Sequence, residues 1–328
     1  MARHPWVAEA DRGVRFGVQL VVGPEAMDGL LETGRLIERL GFDGLFIFDH
    51  PSIQADPWVC LSALAGVTER VRLGSAVNCL PYRHPVHLAR MAADLDNLSG
   101  GRLMLGLGIG WLKSEFRALE IPFQPAPERH AAMEEALTVI QGVWGLEPFS
   151  FDGEHYRVED VRIVPPPRQR PRPPIMIGGN GERVTLRLVA RYADACNISE
   201  LQDRGNGQEA VGGVETIRRK LEVLARHCEE AGRPDEQILR THFTLKLILA
   251  PSESRVEAKL AELASAASGS PATRRALPSA FVTGTPERVA AHYQALVDAG
   301  IQYFVVQLDA TDEETLRLLA DEVMPRVG

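Results

Sequence analysis

The chain has 328 residues, 45% of them hydrophobic, and its formal net charge of -8 argues against nucleic acid or an anionic membrane surface as a partner. No run reaches the roughly eighteen apolar residues that a membrane-spanning helix needs, and the opening MARHPWVAEADRG contains no signal-peptide core. We therefore expect a cytoplasmic protein that binds neither nucleic acid nor membranes.

Short apolar strands alternate with helical segments along the chain, which is typical of parallel βα units. The predicted strands span residues 15–22, 44–48, 71–78, 103–109, 174–178, 195–199, 239–250 and 303–308. The predicted helices span residues 24–40, 57–67, 87–98, 128–144, 182–192, 212–231, 254–264, 286–299 and 313–323. Eight strands favour a (β/α)8 TIM barrel over an open doubly wound sheet. No linker-like segment divides the chain, so residues 1–328 are predicted to form one α/β domain.

Two segments depart from the repeating pattern. Residues 145–174 include the alternating stretch FSFDGEHYRVEDVRIV, with Asp152-Gly153 at the turn, which predicts a β-hairpin outside the barrel. Small residues from 264 to 273 indicate a mobile loop near 264–281. Within the first segment, Arg168, Arg170 and Arg172 alternate with other residues in a proline-rich run. Such a run is typical of a solvated connector, with anion binding as the alternative.

The cysteines suggest no metal or disulfide. They lie far apart, with no CxxC pair and no metal-ligand spacing: Cys60, Cys79, Cys196 and Cys228. We expect reduced, structural thiols and no metal site.

A proton-transfer candidate ends the second predicted strand. Functional residues of such barrels sit at the C-terminal ends of strands, and this strand ends in Phe48-Asp49-His50. Histidine titrates near neutrality and can exchange a proton with a substrate. The alternative is a helix-capping Asp49 beside a surface His50.

Two glycine-rich strand ends are candidate ligand sites. Gly106, Gly108 and Gly110 precede Trp111, and alternate glycines let a flat ligand lie against the backbone, or else let strands pack closely. The fifth strand runs into Gly178-Gly179-Asn180-Gly181 and then a predicted helix, an arrangement that favours phosphate binding by backbone N–H groups over a simple turn. The Arg240-Thr241-His242 stretch begins the seventh strand, which favours a structural role over binding of an anionic substrate.

Three stretches together carry a family resemblance. They are RHPVHLARMAADLDNLSGGRLMLGLGIGW (83–111), PPIMIGGNGERVTLRLVARYADACN (173–197) and GTPERVAAHYQALVDAGIQYFVVQ (284–307). In this order and spacing they resemble the bacterial luciferase-like superfamily. The resemblance implies a homodimeric barrel that binds FMN or the deazaflavin coenzyme F420 at its C-terminal mouth, together with a small-molecule substrate.

Two features are closer to the F420-dependent branch. The Asp49-His50 pair resembles that branch, which implies that both residues face the deazaflavin ring and that His50 transfers the proton. FMN-linked luciferases carry a phosphate-binding arginine where this chain has Ile109, which leaves the cofactor phosphate to the backbone of Gly179, Asn180 and Gly181. The expected function is hydride transfer between coenzyme F420 and a small organic substrate.

The resemblance also implies a cofactor site beyond the acid–base pair. It places a non-prolyl cis peptide at Ala76–Val77, beneath the ring, with Asn78 beside it. Gly108, Gly110, Trp111 and Gly178 complete the expected cofactor-binding set. Sugar-phosphate dehydrogenases of this branch carry a catalytic glutamate aligned with Trp111, which disfavours glucose 6-phosphate as the substrate, although Glu115 lies one helical turn further on. The alternatives are an FMN-dependent monooxygenase fed by a separate flavin reductase, and a non-catalytic cofactor-binding barrel.

Overall fold

The computed structural model describes residues 3–203, 209–267 and 281–328. Its strands are β1 Arg15–Val21, β2 Gly44–Ile47, β3 Arg72–Ser75, β4 Asn78–Cys79, β5 Leu103–Gly108, β6 Phe149–Asp152, β7 Arg157–Val161, β8 Ile175–Gly178, β9 Ala195–Ile198, β10 Leu201–Asp203, β11 Glu209–Val211, β12 Leu239–Thr244, β13 Leu247–Leu249, β14 Val282–Gly284 and β15 Tyr303–Asp309. Its helices are α1 Pro5–Ala8, α2 Leu30–Arg39, α3 Pro57–Ala65, α4 Pro85–Leu98, α5 Lys113–Ala118, α6 Ala126–Val143, α7 Thr185–Tyr192, α8 Gly213–Glu230, α9 Glu253–Ala267, α10 Pro286–Asp298 and α11 Glu313–Leu318.

Nine parallel strands close into a barrel in the order β3-β2-β1-β15-β12-β9-β8-β5-β4. Pairing of β3 with β5 closes the ring. Because β3 and β4 share one position, both lying against β5, the barrel has eight positions, and the predicted (β/α)8 fold is confirmed. Helices cover the outside, and β6 and β7 form the predicted antiparallel hairpin.

Apolar side chains fill the barrel interior. Phe46, Met104, Met176 and Tyr303 form an inner cluster separate from the layer between strands and helices. Trp6, just before β1, joins this cluster edge-on to Tyr303 and closes the N-terminal end of the barrel. The opposite, C-terminal end is therefore the end at which a ligand can enter.

Several predicted elements differ from the structure, and the strand predicted over residues 71–78 is interrupted at Ala76–Val77 to give β3 and β4. The strand predicted over residues 239–250 is two strands, because the chain leaves the barrel after Thr244 and β13 pairs with β14 instead. Most residues of both halves are buried, and the apolar β13 follows β12 closely in the sequence, so the sequence pattern does not show the break. The helix predicted from Pro24 begins only at Leu30, after a 3-10 turn, and the helix predicted from Glu182 begins at Thr185.

The structure also shows the environments of the proline-rich run and of the cysteines. Arg172 forms an ion pair with the buried Asp194, which anchors the run beside β8 in a structural role. All four cysteines are buried free thiols. Of the loop predicted near 264–281, residues up to Ala267 are helical and residues 268–280 lie outside the described residues. In the described part of the chain, no helix combines the length and apolarity needed to cross a membrane.

Candidate active site

The C-terminal mouth of the barrel brings together His50 and two residues that follow β5. The His50 Nδ1 atom lies 2.6 Å from Oε2 of Glu115. On the other side of the ring, the indole N–H of Trp111 donates to His50 Nε2 at 3.2 Å. The sequence named His50 and Trp111 as separate candidates, and the structure places them in contact, with the Trp111 side chain 62% exposed at the mouth.

Glu115 is buried and ionised behind the histidine. It lies on the short helix α5 and is 2% exposed. Its carboxylate accepts hydrogen bonds from the Ser52 backbone N–H at 3.0 Å and from the Tyr82 hydroxyl at 2.9 Å. Burial acts to raise the pKa of Glu115, but the hydrogen bonds from Ser52 and His50 outweigh it, and the net pKa lies below its usual value. An ionised Glu115 selects the tautomer in which His50 Nδ1 carries the proton and Nε2 faces Trp111.

The Asp49 carboxylate is bound by other groups of the protein. Its carboxylate pairs with the Arg83 guanidinium and accepts the backbone N–H of Cys79 at 3.2 Å, and its side chain is 4% exposed. Arg83 also pairs with Asp56 at 2.8 Å. Asp49 therefore holds the start of the β4–α4 connection beside His50, and its predicted contact with a cofactor ring stays a prediction.

A backbone bulge lies between β3 and β4. The Ala76–Val77 peptide bond is cis, as the resemblance implied. The Val77 side chain lies so close to Gly108 and Gly178 that a Cβ at either position would approach it to 2.7 or 2.8 Å. Gly108 and Gly178, which have no side chain, thus make room for Val77. The backbone bulge at Ala76–Val77 then forms a surface at the barrel mouth.

Two buried amide side chains have an oxygen atom that accepts no hydrogen bond from the described residues. Asn78 donates to the carbonyl of Gly106 at 3.1 Å, and Gln19 donates to Gln307 at 3.0 Å. Asn78 Oδ1 and Gln19 Oε1 are buried and have no hydrogen-bond partner among the described residues. Buried acceptors of this kind are normally satisfied, so each can accept a hydrogen bond from a ligand.

The glycine-rich loop after β8 has fewer available donors than the sequence predicts. Gly179, with φ at +146°, donates its N–H to the carbonyl of Asn197 at 3.0 Å and is not available to a phosphate. The N–H groups of Asn180 and Gly181 have no acceptor in the described ranges. A Cβ at Gly181 would lie 2.8 Å from Oγ1 of Thr185, the first residue of α7, so the loop wraps closely over the start of this helix.

His242, by contrast, does not reach the mouth. It is 1% exposed, and its ring packs against Phe304 on the outer side of the barrel wall. Burial lowers the pKa of its imidazole to about 3. The structural role favoured for this stretch agrees with that position.

Comparison with known proteins identifies the family. The family model for luciferase-like monooxygenases matches residues 13–303. The chain belongs to the luciferase-like family. This confirms the resemblance that the three sequence stretches carry.

Individual relatives in this family use both cofactor types. The chain is 29% identical to an F420-dependent glucose-6-phosphate dehydrogenase from Microbacterium testaceum, over 96% of this chain and 97% of that protein. It is 35% identical to an FMNH2-dependent dimethylsulfone monooxygenase from Pseudomonas putida, over 52% of this chain and 49% of the other. Among solved structures, a coenzyme F420-dependent tetrahydromethanopterin reductase from Methanopyrus kandleri has the same fold, with a TM-score of 0.80, 21% identity and coverage of 96% of this chain and all of that chain (100%).

Proposed function

We propose that this protein is an oxidoreductase that transfers a hydride between coenzyme F420 and a small organic substrate, with His50 as the acid–base residue. The observation that carries the proposal is the contact between His50 and the buried, ionised Glu115 at the barrel mouth. The full-length similarity to an F420-dependent dehydrogenase supports the choice of cofactor.

The residues at the mouth fit a flat, tricyclic ring with a polar edge. The bulge at Val77 offers a backbone surface, and the unpaired oxygen atoms of Asn78 and Gln19 suit the N–H donors of such a ring. The N–H groups of Asn180 and Gly181, in the loop that precedes α7, have no acceptor among the described residues and suit a phosphate. A bound deazaflavin supplies two-electron hydride chemistry, which no protein side chain provides.

The protein side chains contribute the proton transfer that accompanies hydride transfer. With Nδ1–H held by Glu115, His50 Nε2 is the atom that takes the hydroxyl proton from an alcohol, or returns it to a carbonyl in the reverse direction. Glu115 stabilises the imidazolium that results. In the structure Nε2 accepts from the Trp111 indole, so a substrate hydroxyl must take the place of that hydrogen bond.

The position of Trp111 also bears on the substrate. An exposed indole beside His50 gives the mouth an apolar wall, which suits an uncharged alcohol or carbonyl compound better than a sugar phosphate. We therefore propose a substrate that differs from the glucose 6-phosphate in the name of the full-length relative. The proposed assembly is a homodimer in the cytoplasm.

The proposal is tested by turnover in the absence of oxygen. Wild-type protein is mixed with oxidised F420 and a panel of secondary alcohols, with glucose 6-phosphate as a comparison, and the visible absorbance of the deazaflavin is followed. We expect bleaching with at least one alcohol. A separate aerobic assay supplies reduced FMN from an added flavin reductase. Consumption of reduced FMN and oxygen there, with no F420 reaction in the first assay, favours the alternative, an FMN-dependent monooxygenase with a reductase partner, which the Pseudomonas relative supports. Binding without any turnover favours a non-catalytic barrel.

A further inference from the structure

Lys220 is a buried lysine next to the proposed phosphate loop. It lies on α8 and is 1% exposed. Its ammonium group donates to Asn180 Oδ1 at 2.8 Å, to the Ser199 carbonyl at 2.6 Å and to the Leu201 carbonyl. One side chain thus joins the helix to the loops that follow β8 and β9.

Asn180 is held on every polar atom of its side chain. Its Oδ1 accepts the Lys220 ammonium and the Ser199 backbone N–H, the latter at 2.9 Å. Its Nδ2 donates to the Ser199 hydroxyl at 2.9 Å. Because the side chain is fixed from inside the protein, the backbone N–H of Asn180 keeps one orientation and has no acceptor of its own within the described ranges.

The charge of the buried Lys220 ammonium group can also favour binding of an anion at the loop. Removing an ammonium group from water is unfavourable unless hydrogen bonds replace the lost hydration, and three oxygen atoms do so here. The positive charge then remains close behind a loop with two N–H groups that have no acceptor among the described residues, and it attracts an anion through protein rather than through screening solvent.

Other charged groups lie nearby. Glu200 interacts electrostatically with Lys220, and its carboxylate lies 3.8 Å from Nε2 of the buried His242. Glu182, just beyond the loop, pairs with Arg219 at 2.9 Å. Glu182 therefore has a cation partner of its own, whereas Glu200 interacts with Lys220.

We propose that Lys220 is a positioning residue for the cofactor phosphate. It fixes Asn180 so that the N–H groups of Asn180 and Gly181 point at the phosphate, and it adds a positive charge behind them. The inference rests on the proposed function, because it requires a phosphate-bearing cofactor at this loop.

The test compares two ligands that differ only in the phosphate. Equilibrium affinities of the full chain are measured for the deazaflavin ribityl core of F420 ending in its phosphate and for the same core without the phosphate. Lys220→Met keeps the length and removes the charge. Arg218→Met is the control, since Arg218 is a half-exposed residue of the same helix and its loss changes the net charge equally.

We expect Lys220→Met to weaken binding of the phosphorylated core by about 10-fold or more, and binding of the phosphate-free core by less than about twofold. The control should change neither affinity. Equal weakening of both ligands, or of neither, overturns the inference, because a purely structural lysine does not distinguish them. If Lys220→Met does not fold, Asn180→Ala, which breaks the same link, must show the same selectivity, and its absence overturns the inference.

If the wild type binds F420 but Lys220 has no selective effect, only this inference fails. If it binds FMN instead, the same comparison is made with FMN and riboflavin. If it binds no cofactor, the proposed function fails too.

Discussion

Replacing Glu115 with glutamine should separate proton transfer from cofactor binding. Glutamine has nearly the same shape, but it has no charge and offers only one acceptor oxygen. In the structure the glutamate accepts His50 Nδ1–H at 2.6 Å as well as groups from Ser52 and Tyr82, so one of these donors must lose its acceptor. The hydrogen bond to His50 is charge-assisted and becomes stronger when the imidazole takes up a proton.

The magnitude follows from that single hydrogen bond. A hydrogen bond to a buried charged group is worth about 2–3 kcal/mol, and each 1.36 kcal/mol is about a factor of ten in rate. We therefore expect Glu115→Gln to lower kcat/KM by about 30- to 150-fold. Because Glu115 lies behind His50, the affinity for F420 should change by less than about twofold.

The assay is steady-state turnover with the best alcohol of the panel, together with a binding titration and a thermal melt. The control is Glu128→Gln, the same replacement at an exposed position on α6. A Glu115→Gln protein that is folded and retains more than half of the wild-type kcat/KM would refute the dyad. A parallel loss of cofactor affinity would show that Glu115 acts on the shape of the mouth instead.

Three further predictions address His50, the bulge and the buried histidine. His50→Ala should keep its cofactor affinity but lose turnover by about two to four orders of magnitude, and wild-type turnover would contradict its role. Gly106→Ala should lower the free energy of unfolding in urea by about 3 kcal/mol, because the new Cβ would lie 1.9 Å from the Ser75 carbonyl oxygen. The control Gly29→Ala, whose new Cβ has no atom within 4 Å, should lower it by less than about 1 kcal/mol. His242 is neutral when folded, with its pKa lowered to about 3 by burial, so its contribution to stability is complete above about pH 6.5 and is lost as pH falls towards 3. When the pH is lowered from about 7.5 to 5, the free energy of unfolding of the wild type should fall by about 2 kcal/mol more than that of His242→Gln. Equal decreases would contradict the conclusion that His242 is neutral in the folded protein.

Much of the architecture follows from local sequence patterns. Alternating apolar strands and helices predict the barrel, and the hairpin shows in the alternation around Asp152-Gly153. These features are readable because each depends on residues that are close in sequence. The cis peptide at Ala76–Val77 was expected from the family resemblance alone, since a short run of small residues is compatible with an ordinary strand.

The central contact of the site depends on tertiary structure. Glu115 and His50 are 65 positions apart, and nothing in the pattern of α5 shows that its glutamate turns inward. The family resemblance draws attention to Glu115 only as a glutamate one helical turn beyond Trp111, the position of the catalytic glutamate in sugar-phosphate dehydrogenases. The sequence contains no separate signal for Lys220, which has the pattern of one more polar residue in an amphipathic helix. Likewise, the pairing of Gly179 N–H with Asn197 joins adjacent barrel strands and cannot be seen within the glycine-rich loop itself.

The most direct test of the account is an equilibrium titration of the cofactor-free wild-type protein with oxidised F420 and, in parallel, with FMN. We expect saturable binding of one F420 per chain, at least about 10-fold tighter than FMN, with competition between the two for one site. Tight binding of FMN together with no detectable binding of F420 would contradict the proposed cofactor and, with it, the proposed reaction.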